Sequence, residues 1–287
     1  MRRSSGENAF RTALRAPVGP EAKQAYARQD RGPPCLAICR WRNGMVAMSP
    51  SLLSSSANRL LASLSPGDAE TLAPHLKPIE FKVRHVFFKP RQPIEAVVFP
   101  ESGFASVVAI TDMGHSLEVG IIGREGVVGV PVIFGQTLTP YDSYAQAAGA
   151  GFEIKADILW AAMQQSWPIA DVLLKFAYTF LIQVTHSALA ISRFTTEQRL
   201  ARWLLMAQDR GDSDEVPLTH EFLSMMLGTR RASVTGALHL LESDKTISTK
   251  RGRILICDRS RLEKVAGDSY GLAESEFARV GFDRKGS

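Results

Sequence analysis

Cysteine is scarce in this 287-residue sequence, which contains only Cys35, Cys39 and Cys257. Three cysteines are too few for the disulfide framework of a small secreted scaffold, so we expect a cytoplasmic protein. They are also too few for a four-cysteine iron–sulfur cluster within one chain. Cys35 and Cys39 have C-x3-C spacing without a nearby His or Cys to complete a metal site, so no metal is expected there.

The sequence also lacks the motifs of common enzyme chemistry. It has no His-x-His pair for a metal-dependent jelly-roll enzyme, no Gly-x-Ser-x-Gly nucleophile elbow and no phosphate-cradling glycine loop. We therefore predict a protein that is not an enzyme and carries no metal or other cofactor. Isolated histidines leave a haem role as a minor alternative: they are His75, His85, His115 and His186.

Most of the chain has nearly equal numbers of basic and acidic residues. Residues 1–47 hold nine Lys or Arg and three Asp or Glu, whereas the remainder holds 25 basic and 26 acidic residues. We interpret residues 1–48 as a disordered basic tail; a transit peptide, or translation from Met45 or Met48, are alternatives. Within the neutral remainder, residues 219–261 carry eight basic and four acidic side chains, which makes them the basic pole.

Short alternating runs punctuated by Gly and Pro indicate a β-rich domain over residues 49–166. Phe81 to Phe88 alternate with a period of two, and Ser106 to Thr111 form another β-rich run. Asp112-Met113-Gly114 then predicts a hairpin turn. The pattern predicts a small sandwich or barrel, and with the helices that follow, an α+β protein.

Residues 167–194 are predicted to form one long helix that is apolar nearly all round. We expect one side to pack on the β-domain and the other on a twin helix in a homodimer. A core helix within one domain is the alternative, and polar residues such as Asp171 and Lys175 argue against a membrane span. The expected dimer interface comprises Leu173, Phe176, Phe180, Gln183, Ser187 and Ala190.

Residues 195–270 have the pattern of a winged helix-turn-helix domain. Thr195 and Gln198 form a capping box, and Gly228 supplies the turn between two short helices. The second helix directs Val234 inward, and the basic tip Lys250 to Arg253 between two β-rich runs is typical of a wing. Residues 271–287 are interpreted as a C-terminal tail.

The exposed side of this domain predicts double-stranded DNA as a partner. Arg suits bidentate contact with guanine, and Ser or Thr hydroxyls can reach phosphates or bases. Two adjacent arginines alone more often form a solvated face, but the turn, the apolar spacing and the wing all favour DNA binding here. The predicted DNA-binding residues are Arg230, Arg231, Ser233, Thr235, Thr219, Lys250, Arg251 and Arg253.

This order of domains resembles the Crp/Fnr family of bacterial transcription regulators. The matching segments are EQRLARWLL at 197–205, LTHEFLSMMLGTRRASVTGALHLLE at 218–242 and RGRILICD at 251–258. The resemblance implies a cyclic-nucleotide-binding-like jelly roll, a dimerisation helix, a homodimer on a pseudo-palindromic operator, and RNA polymerase as a partner. It carries no information on target genes or on activation against repression.

Two departures from the family pattern affect the expected mechanism. Many members have Arg-Glu and a second Arg in the recognition helix, whereas here Arg231 is followed by Ala232 and Gly236. Members that bind cyclic AMP pair its phosphate with an Arg, but residues 127–154, after Gly123-Arg124-Glu125-Gly126, contain no Lys or Arg. We predict no cyclic AMP response and an unknown effector. An alternative function is a cyclic-nucleotide or small-molecule sensor that acts through a protein partner.

Overall fold

The computed structural model describes residues 53–211, 213–216, 218 and 220–282. The predictions for residues 1–48, with Cys35 and Cys39, and for Thr219 lie outside the described residues. The helices are α1 Arg59–Ala62, α2 Pro66–Leu72, α3 Val130–Ile133, α4 Ala156–Gln165, α5 Trp167–Arg193, α6 Thr196–Arg210, α7 His220–Met226, α8 Arg231–Ser243, α9 Arg259–Ala266 and α10 Leu272–Phe277. The strands are β1 Lys77–Phe81, β2 Val86–Phe88, β3 Ala96–Pro100, β4 Phe104–Ile110, β5 Ser116–Ile122, β6 Tyr141–Ala147, β7 Gly149–Lys155, β8 Glu215–Val216, β9 Ile247–Lys250 and β10 Arg253–Ile256.

Two antiparallel sheets form the β-rich domain, as the sequence predicts. One has the order β1-β7-β3 and the other β2-β6-β4-β5. They enclose a core that includes Phe99 and Phe152, both almost fully buried. The predicted hairpin joins β4 to β5, with Gly114 at φ +82°, a conformation that glycine adopts readily. The run from Phe81 to Phe88 is not one strand, because the chain turns at Arg84 (φ +70°) between β1 and β2.

Capping residues set the start of the two helices that connect the β-rich domain to the C-terminal domain. Ser166 accepts a hydrogen bond from the Ile169 amide at the start of α5. Thr195 and Gln198 form the predicted capping box at the start of α6. Each cap satisfies amides that the first turn leaves without an intrahelical partner. The chain therefore changes direction between α5 and α6 at a defined point.

Helix α5 packs one face into the core of the β-rich domain. The Gln183 side chain accepts from the Ile121 amide at 2.7 Å and donates to the Ile121 carbonyl at 3.2 Å. By length and composition α5 could span a membrane, but the core helix of a folded domain meets the same criteria, and 39% of its most apolar window is buried here. The long helix is therefore fixed to β5 along its buried side.

The predicted dimer interface is wrong in its choice of face. Leu173, Phe176, Phe180, Gln183 and Ala190 are all buried within a single chain, and the Ser187 hydroxyl accepts from Arg202 of α6 at 3.3 Å. The sequence pattern shows apolar residues on both sides of α5, and the sheet covers the more uniformly apolar side. Those residues are consequently part of the fold of one protomer.

The C-terminal domain contains α6 to α9 and a small antiparallel sheet of order β8-β10-β9. Its core includes Leu204, Leu223, Leu238 and Ile254, all almost fully buried. The strand β8, which pairs with β10 through Val216 and Ile254, is not apparent in the sequence pattern. A winged helix-turn-helix arrangement is thus present where the sequence predicts it.

The prediction of a tail for residues 271–287 is wrong for the part that the structure describes. Residues 272–277 form α10, which packs against α5, and Ala278–Phe282 continue as a π-helical segment. Phe277 is buried in the same apolar cluster as Phe176 of α5, and Ala273 is buried one turn earlier. This i, i+4 apolar pair supplies the burial that a solvated tail would lack.

Candidate nucleic-acid interface

The turn between α7 and α8 is built around Gly228. Its φ is +57°, in the left-handed region, and an added Cβ would lie 2.9 Å from Leu117 Cδ1 of the β-rich domain. Glycine meets both requirements because it has no Cβ. The Thr229 amide then donates to the Ser224 carbonyl at 3.0 Å and closes the turn before α8 begins.

Helix α8 has a buried side and an exposed side. Val234, Ala237, Leu238 and Leu241 are buried, as their spacing predicts. The rest of the helix surface is open to solvent and includes the predicted DNA contacts Arg231 and Ser233. Arg231 opens the helix, Arg230 occupies its N-cap position, and both side chains are exposed. A helix presented in this way can enter a major groove with its N-terminal residues on base edges.

The smaller predicted contacts on α8 differ in their surroundings. Ser233 is exposed, whereas Thr235 is half-buried and its hydroxyl donates to the Arg231 carbonyl at 3.0 Å. The centre of the exposed side is formed by Ala232, Gly236 and His239, at spacings of four and three residues. His239 is not one of the predicted contacts, although its position seven residues after Ala232 places it on the same face.

Gly236 has no role in packing within the chain. An added Cβ would meet no atom within 4 Å, so close helix packing does not explain this glycine. A glycine inside a helix costs about 1 kcal/mol relative to alanine. The described structure thus contains no intramolecular contact that offsets this cost.

The predicted wing is a hairpin of β9 and β10 with Gly252 at φ +77° in its tip. Lys250, Arg251 and Arg253 are exposed, and Arg253 pairs with Glu215 at 3.1 Å. The Glu242 carboxylate of α8 accepts from both the amide and the hydroxyl of Thr249 at 2.8 Å, which ties the recognition helix to the wing. These three cations therefore lie on an extension held to α8.

The inner side of the C-terminal domain is docked on the four-stranded sheet. Trp203 of α6 donates from Nε1 to Glu118 of β5 at 2.5 Å, and the Ser106 hydroxyl donates to the other carboxylate oxygen. Burial raises the pKa of Glu118 to about 7, although both hydrogen bonds and the nearby Arg202 and Arg210 lower it. A carboxyl that titrates near neutral pH therefore lies between the two domains.

A second buried carboxylate joins the same two domains. Glu125 pairs with Arg210 of α6 at 2.6 Å, and both side chains are at least nine-tenths buried. Glu125 also accepts from the Gly123 amide at 3.1 Å, and Arg124 donates to the Gly211 carbonyl at 3.5 Å. The Gly-Arg-Glu-Gly segment thus makes structural contacts with α6 and the residue that follows it.

Aromatic contacts complete this docking. The ring of Phe222 in α7 meets Tyr144 of β6 edge-on at 6.0 Å, and Phe104 of β4 lies 6.5 Å from Trp203. Burial raises the pKa of Tyr144. Because Leu117, Glu118 and Ile121 all lie on β5, this strand contacts α5, α6 and the helix-turn-helix turn.

Over the described ranges, no group of three His, Cys, Asp or Glu side chains is placed to hold a metal.

Comparison with known proteins also identifies a helix-turn-helix domain in the C-terminal part of the chain. Residues 198–265 match the model of the Crp-like helix-turn-helix domain. A search of curated protein sequences gave no significant match.

Solved structures of whole regulators share the fold. A putative Crp/Fnr-family transcriptional regulator from Eubacterium rectale ATCC 33656 has 20% identity and a TM-score of 0.58, over 72% of this chain and 97% of that one. FixK2 from Bradyrhizobium japonicum has 17% identity and a TM-score of 0.58, over 67% and 98%. A Crp-family regulator from Thermus thermophilus has 17% identity and a TM-score of 0.57, over the same shares of the two chains.

The DNA-binding domain is Crp-like in sequence, and the fold that surrounds it is shared along nearly the full length of those regulators. Residues 198–265 are therefore a Crp-like helix-turn-helix domain, and the chain as a whole shares its fold with a solved regulator of the Crp/Fnr family.

Proposed function

We propose that this regulator is a cytoplasmic homodimer that binds a pseudo-palindromic DNA operator and acts on transcription through RNA polymerase. The observation that carries the proposal is the exposed Arg231 at the start of α8, together with a wing that is tied to the same helix through Glu242 and presents Lys250 and Arg251. Arg231 would read a guanine in the major groove, and the wing would contact phosphates. In a two-fold dimer the half-sites would lie about 34 Å apart.

The uncovered side of α5 supports the dimer. Its exposed residues recur at alternating spacings of four and three, which is the pattern of a coiled-coil seam. We call these residues the outer stripe: they are Leu174, Tyr178, Leu181, Thr185, Ala188 and Ser192. Leu181 is 58% exposed, and Trp167, seven residues before Leu174, is 70% exposed. A second copy of α5, which carries the same stripe, is the partner that matches this geometry on a two-fold axis.

Sedimentation velocity on the full chain tests this dimer. A charge in the stripe would be buried without a partner, so Leu181→Glu should weaken the dimer by at least about tenfold and reduce operator affinity with it. Met113→Glu is the matched control, because Met113 is 76% exposed at the β4–β5 turn, away from the stripe. A monomeric wild-type protein, or an unchanged dimer in Leu181→Glu, would contradict the proposal.

The proposed regulator does not respond to cyclic AMP or cyclic GMP. Glu125 lies in the Gly123-to-Gly126 segment, which corresponds to the phosphate-binding segment of members that bind cyclic AMP. Its carboxylate is already paired with Arg210. No Lys or Arg lies between residues 127 and 154, so a buried cyclic phosphate would have no cationic partner there. Isothermal calorimetry should show no binding of either nucleotide at micromolar concentration, and a micromolar Kd would overturn this part of the proposal.

Selection of genomic fragments by the pure dimer, followed by footprinting, tests the function as a whole. We expect protected sites that share a two-fold symmetric sequence with half-sites one helical turn apart. Repeating the selection with cell extract would reveal an effector if the protected sites change. Retention of random fragments without any shared sequence would contradict sequence-specific binding.

A further inference from the structure

Two of the three residues at the centre of the exposed side of α8 have no side chain that could read a base by hydrogen bonds, and the third, His239, lies three residues after Gly236. Ala232 and Gly236, one turn apart, occupy the middle of this face, opposite the buried Val234 and Leu241. Neither side chain offers a donor or an acceptor. Since the Crp-like helix-turn-helix match makes DNA the ligand of this face, Ala232 and Gly236 can meet the groove only through shape and apolar contact.

Thr235 adds a methyl group beside this centre. Its hydroxyl donates to the Arg231 carbonyl at 3.0 Å, so the hydroxyl proton is already engaged within α8. Base readout by this proton would require breaking that bond. The Thr235 methyl and the Ala232 methyl are then the groups that α8 offers next to the guanidinium of Arg231.

Gly236 leaves the middle of the same face without a side chain. An added Cβ would point into open space, and the residue is not among the described residues with positive φ. Neither packing nor backbone conformation therefore accounts for a residue that is unfavourable inside a helix. Because no side chain projects at this point, the backbone of α8 can approach a duplex more closely.

We propose that the operator half-site presents thymine 5-methyl groups to Ala232 and Thr235, beside the guanine contacted by Arg231, and that Gly236 allows this close approach. The inference rests on the proposed function and specifies its target. Thymine carries its methyl group in the major groove, where small apolar side chains can contact it. Arg231 and these methyl contacts would thus read adjacent bases of the half-site.

Replacement of thymine by deoxyuridine tests the methyl contacts, because it removes only the 5-methyl group. The probe is the operator selected by the wild-type dimer, with one thymine replaced at a time. We expect a roughly three- to tenfold loss of affinity at one or two thymines in each half-site and no change at thymines outside it. A half-site without such a thymine would overturn the inference.

Combining protein variants with the deoxyuridine operators tests whether Ala232 makes the methyl contact. In Ala232→Gly the penalty for deoxyuridine should disappear at the thymine that Ala232 contacts, whereas in Ala161→Gly, the same substitution at an exposed position of α4, it should persist. If the penalty is the same in all three proteins, Ala232 does not read the methyl group and the assignment fails.

Gly236→Ala tests the close approach. Alanine favours a helix, so the variant should unfold at a higher temperature than the wild type, yet bind the operator at least about fivefold more weakly. A higher unfolding temperature with unchanged affinity would show a merely tolerated glycine. If no duplex is selected at all, the proposed function fails; if an operator is selected but shows no deoxyuridine effect, only this inference fails.

Discussion

The two sides of the DNA-binding domain use charge in opposite ways. On the outer side, Arg231, Lys250 and Arg251 are exposed and cationic. On the inner side, Glu118 and Glu125 are buried against α6. Charges in water interact weakly with their neighbours and remain available to a ligand, whereas buried charges depend on their partners. The outer side is therefore suited to binding DNA, and the inner side to fixing the domain on the four-stranded sheet of the β-rich domain.

The largest expected effect comes from breaking the inner pair. Arg210→Ala leaves the Glu125 carboxylate buried without its cation, which should cost about 3 to 5 kcal/mol of unfolding free energy. Arg253→Ala removes the exposed pair with Glu215 and should cost at most about 1 kcal/mol. Urea denaturation of both variants measures the difference. Equal costs would show that the two sides do not differ as described.

The second prediction concerns the pH dependence of the inner side. Because the pKa of Glu118 is raised to about 7 in the folded chain, the folded state binds its proton more tightly than the unfolded state. Its contribution to stability is full below pH 4.5 and is lost as the pH rises through 7. The loss approaches about 3 kcal/mol, at about 1.36 kcal/mol for each pKa unit.

Glu118→Gln keeps the shape of the neutral carboxyl and should flatten this dependence between about pH 5 and 8. Glu95→Gln, at an exposed position, is the matched control and should retain the slope of the wild type. Thermal unfolding at several pH values is the measurement. An unchanged slope in Glu118→Gln would assign the pH dependence to other groups.

A third, smaller effect separates two kinds of contact on the outer side. Arg231→Ala should cost about 1 to 3 kcal/mol on the operator and little on random DNA. Lys250→Ala should weaken binding to all duplexes alike and lower the salt dependence by about one counterion. Fluorescence anisotropy over a salt series distinguishes the two. If Arg231→Ala leaves sequence preference intact, the assignment of Arg231 to a base is wrong.

The outer side could be predicted from sequence because its signals are local. The glycine turn at Gly228, the inward spacing from Val234 and the basic tip at Arg251 all lie within about 25 residues of one another. Local patterns of this length determine a helix-turn-helix unit and its exposed face. His239 could have been found by the same helical spacing.

The inner side could not be predicted because its contacts join distant segments. Glu118 and Trp203 are 85 residues apart, as are Glu125 and Arg210. Nothing in the local pattern of either segment identifies the other. The two apolar sides of α5 present a related difficulty, because periodicity shows that Phe176 and Leu181 lie on different sides but not which side the sheet covers.

Competition binding of the wild-type dimer tests the central claim most directly. A labelled selected operator is displaced by unlabelled operator or by random duplex of equal length at fixed salt. We predict that random duplex competes at least about a thousandfold more weakly than the operator. Equal competition by the two duplexes would show that α8 does not read sequence and would contradict the account.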